Sequence, residues 1–169
     1  ALLLREAEVA HGSGELDNAA ALAERGVALG RALRCADLEA EALQTLGRVR
    51  IDEGNPVEGL ALLDEAMLFV LDGRCSPYTT GKVYCSLISA CEELGDLARS
   101  GEWTVATARW AERSPFSLFP GICRVHHATA LQWRGAWADA EREAVRACNE
   151  LLGINLPNAA LAWAAIGDI

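Results

Sequence analysis

Four short stretches of this chain begin alike: Gly14-Glu15-Leu16-Asp17, Gly54-Asn55-Pro56-Val57, Gly95-Asp96-Leu97-Ala98 and Gly135-Ala136-Trp137-Ala138. Their glycines stand 40, 41 and 40 residues apart. Each closes one helix-like stretch and opens the next. A fixed period of roughly 20–50 residues is the mark of a repeat array, in which each unit buries its apolar face only by stacking on its neighbours.

Between the glycines the pattern is helical. Alanine and leucine dominate, and both are strong helix formers. Leu38, Ala42, Leu43, Leu46 and Val49 follow helical spacing, as do Leu60, Leu63, Ala66, Met67 and Val70. The spacing predicts nine helices, over 2–11, 16–34, 37–53, 56–71, 80–94, 97–113, 121–134, 137–152 and 158–169. Asp37 is placed to accept the first free N–H groups of the third helix. Pro56 suits the first turn of the fourth, where a missing N–H costs nothing. Longer connections are expected around Gly73, Pro77 and Gly81, between Ser114-Pro115 and Pro120-Gly121, and between Gly153 and Pro157. Short glycine turns alternating with longer connections describe a stack of helical hairpins.

Aligning the glycines exposes a register. Before Gly54 stand Leu43, Leu46 and Gly47; before Gly95 stand Tyr84, Leu87 and Ile88. After the four glycines, mostly small residues recur: Ala19, Ala23 and Gly26; Gly59, Leu63 and Ala66; Ser100, Thr104 and Thr107; Ala140, Ala144 and Ala147. Helices that cross closely admit only small side chains at the contact, so Gly47 and Gly59 are expected at the crossing of one pair. Trp163-x-x-Ile166-Gly167 restarts the opening of a unit.

This register resembles the tetratricopeptide pattern, although the ~40-residue period exceeds that family's usual 34. HEAT-like helix pairs are the alternative. The resemblance implies an all-α fold: a right-handed superhelical array of antiparallel hairpins with repeats at 1–36, 37–78, 79–119, 120–156 and a truncated 157–169. The phrases Asp37-Leu38-Glu39-Ala40-Glu41-Ala42-Leu43-Gln44-Thr45-Leu46-Gly47-Arg48 and Glu58-Gly59-Leu60-Ala61-Leu62-Leu63-Asp64-Glu65-Ala66-Met67 resemble the helical-repeat region of large actinobacterial regulators. So do Gly81-Lys82-Val83-Tyr84-Cys85-Ser86 and Phe119-Pro120-Gly121-Ile122-Cys123-Arg124-Val125-His126. In those proteins the region is joined to a LuxR-type helix-turn-helix domain or to a class III nucleotide cyclase domain. The resemblance implies a non-catalytic module for protein–protein interaction or signal transmission in a cytoplasmic regulator. A stand-alone peptide-binding scaffold is the rival reading.

Bulk properties narrow the function. Hydrophobic residues make up 51% of the chain, enough for a sizeable core. The net charge of −9 argues against this segment gripping nucleic acid, which needs a basic surface. No apolar run reaches the ~18 residues of a membrane span. The absent initial methionine and the abrupt end point to a piece of a longer protein, with self-association expected through the cut end. Six cysteines without a C-x-x-C read as reduced, mostly buried thiols.

The candidate site is a groove lined by the first helix of each hairpin. Outward positions by the register are Gln44, Thr45, Arg48 and Asp52, then Lys82, Ser86, Ser89, Glu92 and Glu93, then His126, Thr129, Gln132 and Trp133. The plain reading of such residues is a solvated helix face. The functional reading is a mixed-charge groove for a protein or peptide segment or a neighbouring domain. In it Arg48 and Lys82 contact carboxylates and Trp133 is the anchor. Cys123, His126 and His127 have metal-ligand chemistry, but three ligands on one helix do not close a zinc site. No serine stands in a nucleophile-elbow context, and no phosphate-binding glycine loop is present. No catalytic residue, metal or cofactor is therefore expected. Of the tryptophans, Trp103 and Trp110 share one helical face and read as packing residues, whereas an exposed patch at Trp133 and Trp137 would be the exception.

Overall fold

The computed structural model of the chain describes residues 2–113, 120–152 and 156–167. Among them the fold is all-helical, with nine helices: α1 (Leu2–Gly12), α2 (Leu16–Leu33), α3 (Ala36–Asp52), α4 (Pro56–Leu71), α5 (Pro77–Glu93), α6 (Leu97–Arg113), α7 (Pro120–Trp133), α8 (Trp137–Leu151) and α9 (Leu156–Gly167). The chain divides into two compact units, Ala1–Ala90 and Cys91–Ile169, with the division inside α5. The connection expected between Ser114 and Phe119, and that at Gly153, lie outside the described residues.

The four periodic glycines share one device, which Gly73 also uses. Gly14, Gly54, Gly95 and Gly135 all have positive φ, between 73° and 85°. At Gly54 the glycine N–H donates to Ile51 O at 2.9 Å and the Asn55 N–H donates to Arg50 O at 2.8 Å. The same pair of bonds recurs at the other three. This left-handed cap satisfies helix-end carbonyls and reverses the chain within a few residues. Arg34, at the end of α2, adopts the same conformation without being glycine, at φ 51°.

In the first unit, α2 packs on α3, α3 on α4, and α1 on both α2 and α3. The α3–α4 crossing is made backbone to backbone. A Cβ on Gly47 would stand 2.8 Å from the Gly59 carbonyl oxygen, and one on Gly59 would stand 2.6 Å from the Gly47 carbonyl oxygen. On α2, a Cβ at Gly30 would meet the Glu39 backbone of α3, and one at Gly26 would meet the Ala42 and Leu4 side chains. The small register residues after all four glycines are buried, from Ala19, Ala23 and Gly26 through to Ala140, Ala144 and Ala147. In the second unit α7 pairs with α8, and α9 packs on α8 and α7. Its core joins Ala147, Cys148, Leu151, Ala159 and Ala162.

Two local expectations change. Helix α5 starts at Pro77, not at residue 80, because Ser76 caps it: the Thr79 N–H donates to Ser76 Oγ at 3.3 Å, and proline occupies the first turn. Asp37 does not cap α3. The capping position is Cys35, without a side-chain bond, and Asp37 Oδ1 instead accepts the Ser76 N–H at 2.7 Å. No helix among the described residues is long and apolar enough to cross a membrane.

Candidate functional site

In the first unit, polar residues of α1, α3 and α5 bind one another. Lys82 of α5 pairs with Glu8 of α1 and, at 3.1 Å, with Glu41 of α3. Glu41 also accepts the Thr79 hydroxyl at 2.8 Å. Gln44 Nε2 donates to Ser86 Oγ at 3.1 Å, and His11 Nε2 lies 2.6 Å from Asp52 Oδ2. Burial alone would pull Lys82 below the ordinary lysine value, but the Glu8 hydrogen bond and the Glu41 charge outweigh it and raise it. Lys82 thus remains a cation that already holds two carboxylates of its own chain.

Gln44 and Thr45, expected on the outward face, are buried. Neighbours explain this: α3 is enclosed by α2 and α4 and carries α1, while Ser86 of α5 reaches over Gln44. Arg48 and Ser89 are half-buried, and Asp52 is exposed. Glu8, His11, Glu41 and Thr79 were not singled out by the sequence. A signal for them existed. The bonded pairs His11–Asp52, Glu41–Lys82 and Gln44–Ser86 are 41, 41 and 42 residues apart, one repeat period.

In the second unit His126 Nδ1 lies 3.2 Å from Glu92 Oε2, and the Ser100 hydroxyl donates to Glu92 Oε1 at 3.4 Å. The carboxylate stands between the other two, so the imidazole does not meet the hydroxyl. Ser100 is also fully buried. This string therefore lacks the nucleophile–base contact of a hydrolytic triad. Thr129 turns its hydroxyl back onto Val125 O at 3.1 Å, Gln132 donates to Ala165 O at 2.9 Å, and Glu93 is exposed.

His127 faces the partner helix, with Nδ1 at 3.8 Å from Glu143 of α8. Glu143 also takes Arg124 at 2.8 Å and Arg146 at 2.9 Å. Burial would push the Glu143 carboxyl up, yet the Arg124 hydrogen bond and the charges of Arg124, His127 and Arg146 hold it below its ordinary value. The two histidines are thus engaged with carboxylates, and the Cys123 side chain lies outside the described residues. Among the described residues no cluster of three His, Cys, Asp or Glu side chains could hold a metal ion.

The apolar feature of this unit is aromatic. Trp133 is 44% exposed and Trp137 is 52% exposed, one on either side of the Gly135 turn. Trp163 on α9 is 57% exposed, whereas Trp103 and Trp110 are half-buried. Half-exposed tryptophans are the kind of side chain that anchors a partner.

No family model matches the chain, and no curated protein matches it.

Proposed function

We propose that this chain is a non-catalytic helical-repeat module that binds a protein or peptide segment, or a neighbouring domain, as part of a larger bacterial regulator of the LuxR or nucleotide-cyclase type. Its arrangement would be the tetratricopeptide-like right-handed superhelix of helix hairpins. The observation that carries the reading is the repeated unit itself: four identical glycine caps, each followed by buried small residues at matching positions. Such arrays stack supersecondary units and offer extended faces for recognition. The exposed Trp133 and Trp137 are the side chains best suited to recognition; Lys82 and His126 already serve internal carboxylates, and Arg48 is half-buried.

The test is a selection of displayed peptides against the chain, followed by calorimetry of a selected peptide with wild type, Arg48→Ala and Trp133→Ala. The expected result is enrichment of a sequence family whose binding weakens about tenfold or more in at least one variant, with melting temperature nearly unchanged. Absence of enrichment, or binding indifferent to both substitutions, ends the interaction reading. A complete coding sequence carrying neither a helix-turn-helix nor a cyclase domain removes the regulator part and leaves the stand-alone scaffold.

A further inference from the structure

Residues one period apart meet at the adjoining faces of α3 and α5. Asp37 binds the Ser76 N–H, Glu41 binds Thr79 and Lys82, and Gln44 binds Ser86, at separations of 39, 38, 41 and 42 residues. These bonds form a ladder that runs from the N-terminal ends of both helices toward their middles. Cys35 and Cys75 stand at the head of that ladder, 40 residues apart. Cys35 caps α3, two residues before Asp37; Cys75 directly precedes Ser76. The Asp37–Ser76 bond of 2.7 Å therefore ties together the two segments that carry the thiols.

Cys91 and Cys148 are buried, whereas Cys35 is exposed and Cys75, like Cys85, is half-buried. Of these, Cys35 and Cys75 stand at helix junctions. We propose that Cys35 and Cys75 form a reversible disulfide under peroxide, which makes the junction between these two successive hairpins a redox-modification site. The exposed Cys35 thiolate attacks hydrogen peroxide. The O–O bond breaks, Cys35 becomes a sulfenic acid after loss of two electrons, and the second oxygen leaves as hydroxide, which solvent protonates to water. The Cys75 thiolate then attacks the Cys35 sulfur. The S–O bond breaks, the S–S bond forms, and the hydroxide that leaves takes a proton from solvent to become a second water. A dithiol reductant reverses the bond by exchange.

The second step needs the Cys75 thiolate. Burial pushes the Cys75 thiol up to about 11, the charges of Asp37, Glu41 and Cys35 add to the rise, and Arg74 opposes it. Only a small thiolate fraction is present at neutral pH, so closure accelerates about tenfold per pH unit from roughly pH 7 to roughly pH 9. Cys35, the exposed thiol, is the entry point for peroxide.

The experiment treats the whole chain, Cys35→Ser and Cys75→Ser with hydrogen peroxide, followed by non-reducing digestion and mass spectrometry. The expected product is a monomer with a Cys35–Cys75 cross-linked peptide, reversed by dithiothreitol, formed faster at higher pH and absent in both variants. In Cys75→Ser, Cys35 halts as a sulfenic acid that dimedone traps. The oxidised wild type melts at higher temperature than the reduced form, because the link closes a long loop in the unfolded chain. Cys35 paired with any other cysteine, a link only between two molecules, or Cys35 driven to sulfinic acid with no link overturns the proposal. So does a link that lowers the melting temperature, since the native junction would then not accommodate it.

Discussion

At Gly59 a single hydrogen is all that the α3–α4 crossing admits. An added Cβ would stand 2.5 Å from Ile51 Cγ1 and 2.6 Å from the Gly47 carbonyl oxygen, and a backbone oxygen cannot step aside. Gly59→Leu should lower stability by at least the ~1–3 kcal/mol typical of overpacking, read as a fall in denaturant midpoint. An unchanged midpoint would remove the crossing from the account. Arg34 offers the opposite experiment. It holds a left-handed φ of 51° that costs an L-residue about 1–2 kcal/mol, and its side chain is exposed. Arg34→Gly should therefore stabilise the chain by about 1 kcal/mol, seen as a rise in melting temperature; a fall would show that the Arg34 side chain matters more than its backbone. Gly59 was legible in the sequence as a small residue at a fixed offset from Gly54. Arg34 was not, because nothing in an arginine announces a positive φ.

At the scale of elements, helix pairs are pinned by ion pairs laid over small-residue contacts. Glu143 of α8 binds Arg124 of α7 and holds His127 and Arg146 nearby. Its folded pKa lies below the ordinary 4.5, so its contribution is present above that value and fades as pH falls through the folded one. Glu143→Gln should cost about 1 kcal/mol at neutral pH, within the range of a partly exposed pair. The gap between variant and wild type should close in acid. Urea melts at pH 7 and in acid check this, and a gap that persists in acid would mean a packing loss, not an ionic one. The elements themselves were readable. Eight of the helix starts fall within two residues of the expectation; α5 differs because Ser76 and Pro77 read as loop residues until Ser76 is seen capping Thr79.

At the scale of the molecule, each unit assembles the same local design, and α9 presents Trp163 at 57% exposure with Leu152 exposed nearby in sequence. An indole left in water carries a large apolar area. Self-association through this side chain is expected: sedimentation should show mass rising with concentration, and Trp163→Glu should return the chain to monomer without lowering its melting temperature. A wild-type monomer at every concentration would dispose of the expectation. The charge of −9 opposes such contacts, so raised salt should strengthen them by screening.

The sequence by itself determined where most helices begin and end and where α3 and α4 cross. Those features depend on interactions within a few residues: a left-handed glycine cap, helical periodicity, and small side chains at fixed offsets, all repeated often enough to stand above chance. Only the tertiary structure decided which polar groups meet. Lys82 had acids to choose from throughout an acidic chain, and it took Glu8 and Glu41 because α1 and α3 bring those two within reach. Asp37 left the cap of its own helix for the Ser76 N–H of the next junction. Gln44 and Thr45 are buried, since a polar residue at an outward register position stays outward only if no further helix covers it. Long side chains choose partners by proximity in space, and that proximity exists only once the hairpins have stacked.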